Sequence, residues 1–399
     1  MYQIQETRQA GQTILLIPSM MDDHFPLLQY AFHSEEYWPV ILENTQGITD
    51  QGLRYGHNDM CYPFTLCPGQ YLQALASGEY DLDHTALLMP SAGDACRGSN
   101  FTSLIRKGLA AAGYPQVPVL TLNVKGLERE QSLSIRPYMV WRALFALYYG
   151  DLLMLLTHQT RPYEREKGST DTCRAAWTER LAQDLKTGRG LTLGRMKKNF
   201  TRMAAEFAAI PRIGGPKKRV GLVGELYTKY CALGNWDMVA FLEGEGCEAA
   251  VNGFSWYILY YVDNQIAGTS GPRRAGWKAV SALLAGLQRS MTEALRAHGF
   301  CCLDPFPAFR CQAERDMSMN LQVADGWLMG AEMAAHLRSG CARVLAMQPF
   351  GCLPNHVCGR GQYAALARRF PQGKVVSVDL DSSGSPAQVY NRVKMLLEG

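Results

Sequence analysis

Short β-branched runs alternate with helix-length segments along almost the whole chain, and this alternation is the strongest limit on what it can fold into. The runs at 13–18, 85–89, 117–122, 219–223, 248–251, 342–347 and 374–378 read as strands. Between them, 100–112, 138–157, 171–186, 193–209, 236–245, 277–298, 323–338 and 387–398 read as helices. Strands that alternate with helices predict an α/β fold whose mainly parallel sheets are covered on both faces.

One stretch divides the pattern. Ile210 to Arg219, IPRIGGPKKR, concentrates Pro, Gly and basic residues just before a fresh strand, as domain boundaries commonly do. The expected organisation is an N-terminal α/β domain over 1–137, a helical section and linker over 138–215, and a C-terminal α/β domain over 216–399. Gly268 to Gly276, GTSGPRRAG, reads as an exposed loop with a basic tip. No heptad array, short repeat or low-complexity tract interrupts this plan.

Composition narrows the chemistry. The 399 residues include 12 cysteines, far below the roughly 8–10% of a disulfide scaffold. Forty Lys and Arg against 36 Asp and Glu leave a formal charge of only +4, so charge alone gives no strong pull toward nucleic acid or a membrane surface. The apolar run Ile14 to Ile17 is too short for a signal segment. Met139 to Leu156 is broken by Arg142, Gly150 and Asp151 and reads as a buried helix rather than a membrane span. The expectation is a cytoplasmic protein with reduced thiols, in which grouped cysteines point to metal binding or catalysis.

Three cysteines stand out by position. Cys61 lies in GHNDMCYPF, Cys96 follows a strand in LLMPSAGDACRGSN, and Cys352 follows another in VLAMQPFGCLPN. Ligands of open α/β sheets gather outside the carboxyl ends of strands, and neighbouring Gly and Pro let the backbone approach a bulky inorganic group. Thiolates hold iron–sulfur clusters in this way. The spacing is not the compact C-x-x-C of a ferredoxin or zinc ribbon, so by itself it leaves unrelated packing cysteines open. Zinc, the usual competitor for dispersed thiolates, normally needs four closed ligands, and no His-rich partner motif is present.

The segments NDMCYPFTLCPGQYLQAL, MPSAGDACRGSNFTSLIRKGLAAAGYPQVPVLTL, GDLLMLLTHQTRPYERE, RVGLVGELYTKY and LAMQPFGCLPNHVCGRG, in this order, resemble the activase-related proteins of the 2-hydroxyacyl-CoA dehydratase superfamily. That superfamily also contains benzoyl-CoA reductase-type subunits and double-cubane cluster proteins. The resemblance runs from about residue 13 to the C-terminus. It implies two Rossmann-like, doubly wound domains enclosing an interdomain iron–sulfur site, either [4Fe-4S] or a double-cubane [8Fe-9S] cluster. Carried over residue by residue, the metal ligands are Cys61, Cys96 and Cys352, with Cys67 and Cys358 as additional-ligand candidates. A six-thiolate double cubane would require a sixth cysteine that the resemblance does not identify.

The resemblance further implies anaerobic, low-potential chemistry: a reductase or 2-hydroxyacyl-CoA dehydratase-like lyase, fed electrons by a separate ATP-dependent iron–sulfur activase. The chain has no G-x-x-x-x-G-K-[ST] of its own. A CoA thioester or another small acceptor is the implied substrate, and pairing with itself or a homologue is expected. In a dehydratase, one electron converts the thioester to a ketyl radical that expels the hydroxyl group. The alternative is a non-catalytic protein that stores, transfers or senses a cluster, favoured by the lack of a clear CoA-binding signature or general base.

Other polar residues are candidates for supporting roles. Glu225 ends the VGLVGE strand and reads equally as a cleft carboxylate or a helix cap. His57 and His356 flank two of the cysteines and could donate a hydrogen bond to sulfur or a proton to substrate, with loop capping as the default. Arg97, beside Cys96, could steady an anionic cluster or a phosphate. Arg161 and Glu164 read as a structural ion pair. Cys173, Cys231, Cys247 and Cys341 read as packing residues, whereas Cys301, Cys302 and Cys311 form a denser group that leaves a second metal site open.

Overall fold

The computed structural model describes residues 8–57, 60–90, 96–122, 133 and 135–398. It contains two parallel four-stranded sheets with the same strand order. The first runs β2-β1-β3-β4, with β1 Thr13–Ile17, β2 Tyr37–Ile41, β3 Thr85–Pro90 and β4 Val119–Leu122. The second runs β6-β5-β7-β8, with β5 Lys218–Gly224, β6 Cys247–Val251, β7 Arg343–Pro349 and β8 Lys374–Leu380. All pairings within both sheets are parallel. The α/β architecture read from the sequence is therefore present, with each sheet wound as in Rossmann-like domains.

Strand composition explains why both sheet faces are covered. Leu16, Leu87 and Met89 face one large core, while the alternate Leu15, Ala86 and Leu88 face a smaller cluster behind the sheet. The second sheet repeats this: Leu222, Leu345 and Met347 join the same large core, and Val223, Val344 and Ala346 face a third cluster. Both sheets thus bury one face against a common interior.

That interior is organised by the helix Pro137–Thr160, whose Phe145, Leu152 and Leu156 are fully buried. It packs against the helix Phe25–Phe32 and the edge strand β6. It is long and apolar enough to cross a membrane, yet two-thirds of its most apolar window is buried inside the protein, as in a core helix. Asp151 lies in its middle, fully buried, and accepts hydrogen bonds from His24 Nε2 at 2.8 Å and from the backbone N–H groups of Phe254 and Ser255. One carboxylate therefore ties the loop after β1 to the start of the helix Phe254–Ala267 in the other half.

Some elements differ from the sequence reading. The strand β2, YWPVI, escaped it because Pro39 sits at its centre; β2 is an edge strand, where a missing N–H is tolerated. Helices Phe25–Phe32, Ile48–Tyr55, Tyr62–Ala76, Phe254–Ala267 and Phe306–Asp316 were also not anticipated. The expected loop Gly268 to Gly276 is instead largely helical: a 27-residue helix starts at Gly271, with Pro272 in its first turn where the missing N–H costs nothing. Arg161 and Glu164 do not pair. Arg161 holds Glu243 bidentately, while Glu164 accepts the backbone N–H groups of Gly168 and Thr170 at the start of the helix Ser169–Thr187.

Candidate metal centre

The carboxyl ends of the two sheets face one another. The loop after β1 meets the loop after β5, where Asp22 N donates to Tyr230 O at 3.1 Å and Ala232 N donates to Asp22 Oδ2 at 2.7 Å. In each sheet the strand order reverses between β1 and β3, or between β5 and β7, and the crevice beyond such a switch is where open sheets bind ligands. Cys96 follows β3 and Cys352 follows β7, the equivalent strands of the two sheets; both strands end in proline. Residues 91–95 between β3 and Cys96, and Asn58 and Asp59 before Cys61, lie outside the described residues.

Cys61 comes from a helix start. It is the residue before the helix Tyr62–Ala76, whose second residue is Pro63. That helix lies close against its neighbour because Gly69 has no side chain; a Cβ there would collide with the Ile48 carbonyl. The helix start is then joined to the segment after β7 by Tyr62 N donating to Phe350 O at 3.2 Å.

Gly351 completes the junction. Its backbone is left-handed, φ +78°, which glycine adopts at little cost. A Cβ built on it would lie 3.3 Å from Met60 O, 3.4 Å from Cys61 Cα and 3.5 Å from Arg97 Nη1. The residue before Cys352 thus rests on Cys61 and on the neighbour of Cys96. The structure brings the three cysteine-bearing segments together.

The local electrostatics agree. Cys61 and Cys352 are buried, at 7% and 6% exposure, and Cys96 is half-buried. Burial pushes the Cys61 thiol up to about 12, with the Glu225 carboxylate and then Cys96 adding to the rise. Burial likewise raises Cys352, with further contributions from Glu225, Asp325 and Cys61. Two sulfurs nevertheless receive donors: Gly98 N to Cys96 Sγ at 3.3 Å, and Asn355 Nδ2 to Cys352 Sγ at 3.2 Å. Buried thiols that repel one another when ionised are stabilised as thiolates by a bound cation. The donor set suits a thiophilic metal group. Among the described residues no three His, Cys, Asp or Glu side chains converge tightly enough for a single metal ion.

Glu225 satisfies both readings of its position. It caps the short helix Leu226–Tyr230 by accepting from Tyr227 N and Thr228 N at 2.9 and 3.3 Å. Its charge also bears on Cys61 and Cys352, and burial holds its carboxyl up to about 7. Asp325, not singled out from the sequence, is buried beside it, and its carboxyl is raised by burial and by Glu225 and Glu332. Asn355 spans from Cys352 to Asp325 Oδ2 at 3.4 Å. The available signal was an acid inside the apolar run VADGWLMG.

The remaining candidates are placed as follows. Cys67 is fully buried, and its thiol is raised by burial and by Cys231, Glu225 and Cys61. Cys358 packs with Val223, Met329 and Ala346 behind the second sheet. Arg97 is exposed, with one guanidinium nitrogen at Gly351. His57 is exposed and His356 half-buried. No protein-family model matches the chain, and no curated protein matches it significantly.

Proposed function

We propose that Cys61, Cys96 and Cys352 hold an iron–sulfur cluster between the two α/β halves, and that the chain is a low-potential reductase or 2-hydroxyacyl-CoA dehydratase-like component. The supporting observation is the seating of Gly351 against Cys61 and Arg97, which draws the loop of Cys352 onto the segments of Cys61 and Cys96. When bound, such a cluster supplies one-electron chemistry at a potential set by its surroundings.

The protein groups contribute defined physical effects. Burial of Cys61 and Cys352 excludes water from their sulfurs. The donors Gly98 N and Asn355 Nδ2 stabilise sulfur charge. The Glu225 carboxyl, near neutral in affinity for its proton, can hold or release that proton at Oε beside the thiols. Cys61, Cys96 and Cys352 would hold such a cluster through their thiolates, and the cluster would supply the electron to a bound acceptor.

Electrons in this reading come from a separate ATP-dependent iron–sulfur activase, and the acceptor is a CoA thioester or another small molecule. The test is anaerobic turnover: the protein, a purified activase, ATP and a reductant are combined with a 2-hydroxyacyl-CoA or acetylene. Acceptor-dependent consumption of electrons, or dehydration of the thioester, supports the proposal. A protein carrying its full iron complement that turns over neither leaves cluster storage or sensing as the function.

A further inference from the structure

A cavity lined by apolar and polar side chains lies away from the three cysteines. It occupies about 270 Å³ between the C-terminal part of the helix Pro137–Thr160, the edge strand β6 and the segment Phe300–Leu303. This is slightly below the ~300–1,000 Å³ of pockets that take drug-sized ligands, so its occupant is small.

The cavity wall holds two buried imidazoles with unpartnered nitrogens. His158 and His336 are 7% and 3% exposed, and His158 Nδ1 and His336 Nε2 have no hydrogen-bond partner among the described residues. Burial keeps both rings neutral, lowering His158 to about 4 and His336 to about 3. A buried polar atom without a partner is costly, and neutral imidazole offers one donor and one acceptor to satisfy. β6 adds a strand edge, since among the described residues no strand flanks its outer side.

Two arginines, each already paired with a carboxylate, also line the cavity, and Glu248 itself lies in its wall. Arg219 and Arg296 have side chains 24% and 47% exposed. Arg219 spends one N–H on Glu248 and one on Ser339 O; Arg296 contacts Asp304 and Leu303 O. Each guanidinium has five N–H donors, so both keep donors to spare, in a planar arrangement that matches carboxylate oxygens. Leu155, Val251 and Phe300 supply apolar wall between the polar groups.

We propose that this cavity binds a small carboxylate bearing a second oxygen, oxo or hydroxyl. Arg219 and Arg296 take the carboxylate, and His158 Nδ1 or His336 Nε2 takes the second oxygen. The site stands apart from the proposed cluster, so its test does not depend on iron content.

Exposed Cys301 lines the cavity and provides a reporter. Its alkylation by iodoacetamide is followed by peptide mass spectrometry on the full-length protein, with exposed Cys311 as the internal control, beside a thermal-shift titration. Levulinate (4-oxopentanoate) is the probe; pentanoate, 2-pentanone and inorganic phosphate are the comparators. Levulinate at about 10 mM is expected to slow Cys301 alkylation at least about threefold without slowing Cys311 and to raise the melting temperature. Pentanoate and 2-pentanone should bind about tenfold more weakly or worse. R296Q, whose partner Asp304 is solvent-accessible, should fold normally and lose at least about tenfold in levulinate affinity. No protection by levulinate, equal protection by phosphate, or undiminished binding to R296Q would each overturn the proposal.

Discussion

The Phe350 carbonyl accepts a hydrogen bond from Tyr62 N at 3.2 Å, so a loop ending one sheet is attached to a helix start belonging to the other half. Cys61 and Cys352 lie one and two residues from these atoms. C61S, C96S and C352S should therefore each lose iron and sulfide while keeping native circular dichroism. The check is metal quantification and electron paramagnetic resonance after anaerobic purification. About four irons per chain would mark a single cubane and about eight a double one. Wild-type protein purified anaerobically without iron would sink the assignment.

Gly351→Ala probes the junction without touching a thiol. A side chain at φ +78° costs about 1 kcal/mol, and the new methyl would press on Met60 O and Cys61 Cα. The denaturation midpoint should fall accordingly, and iron should be lost faster to a chelator than from wild type. An unchanged chelation rate with a lowered midpoint would separate the junction's packing from metal retention.

Asp151→Ala should be far more damaging, about 3–5 kcal/mol, because it strips the partner from His24 and from two buried backbone N–H groups at once. Urea unfolding measures this. D151N, which keeps the shape and one acceptor, should recover part of the loss.

His158 makes stability pH-dependent with a definite sign. Burial outweighs Asp23, while Arg161 and Arg174 also oppose its protonation, and the ring sits at about 4 instead of 6.5. Between these values the unfolded chain binds a proton that the native state refuses, so this group's contribution falls as pH drops from 6.5 to 4. The shift corresponds to on the order of 3 kcal/mol. Compared with H158Q, wild type should lose stability more steeply over that window and run parallel above pH 7. Parallel curves throughout would refute the assignment.

Much of the fold was legible because seven of the eight strands carry β-branched or apolar runs with clear punctuation, such as RVGLVG and KVVSVDL. YWPVI was not, since proline at an edge is acceptable only once the edge is known. The helix Tyr62–Ala76 was hidden by Pro68 and Gly69, which lower helix propensity but are stabilised by close packing. At the candidate centre, the cysteines were visible from their Gly and Pro neighbours. Gly351 as a contact surface, Asp325 and the His24–Asp151 tie were not, because each depends on residues distant in sequence.

The common interior shared by the two sheets has a mechanical consequence. Helix Pro137–Thr160 contributes Phe145, Leu152 and Leu156 to that interior, and Asp151 clamps both halves from within. Opening the halves like a clamshell would expose this core and break the clamp together. Opening by such a hinge would therefore cost much of the fold's stability, and the packing holds the two halves together as one unit.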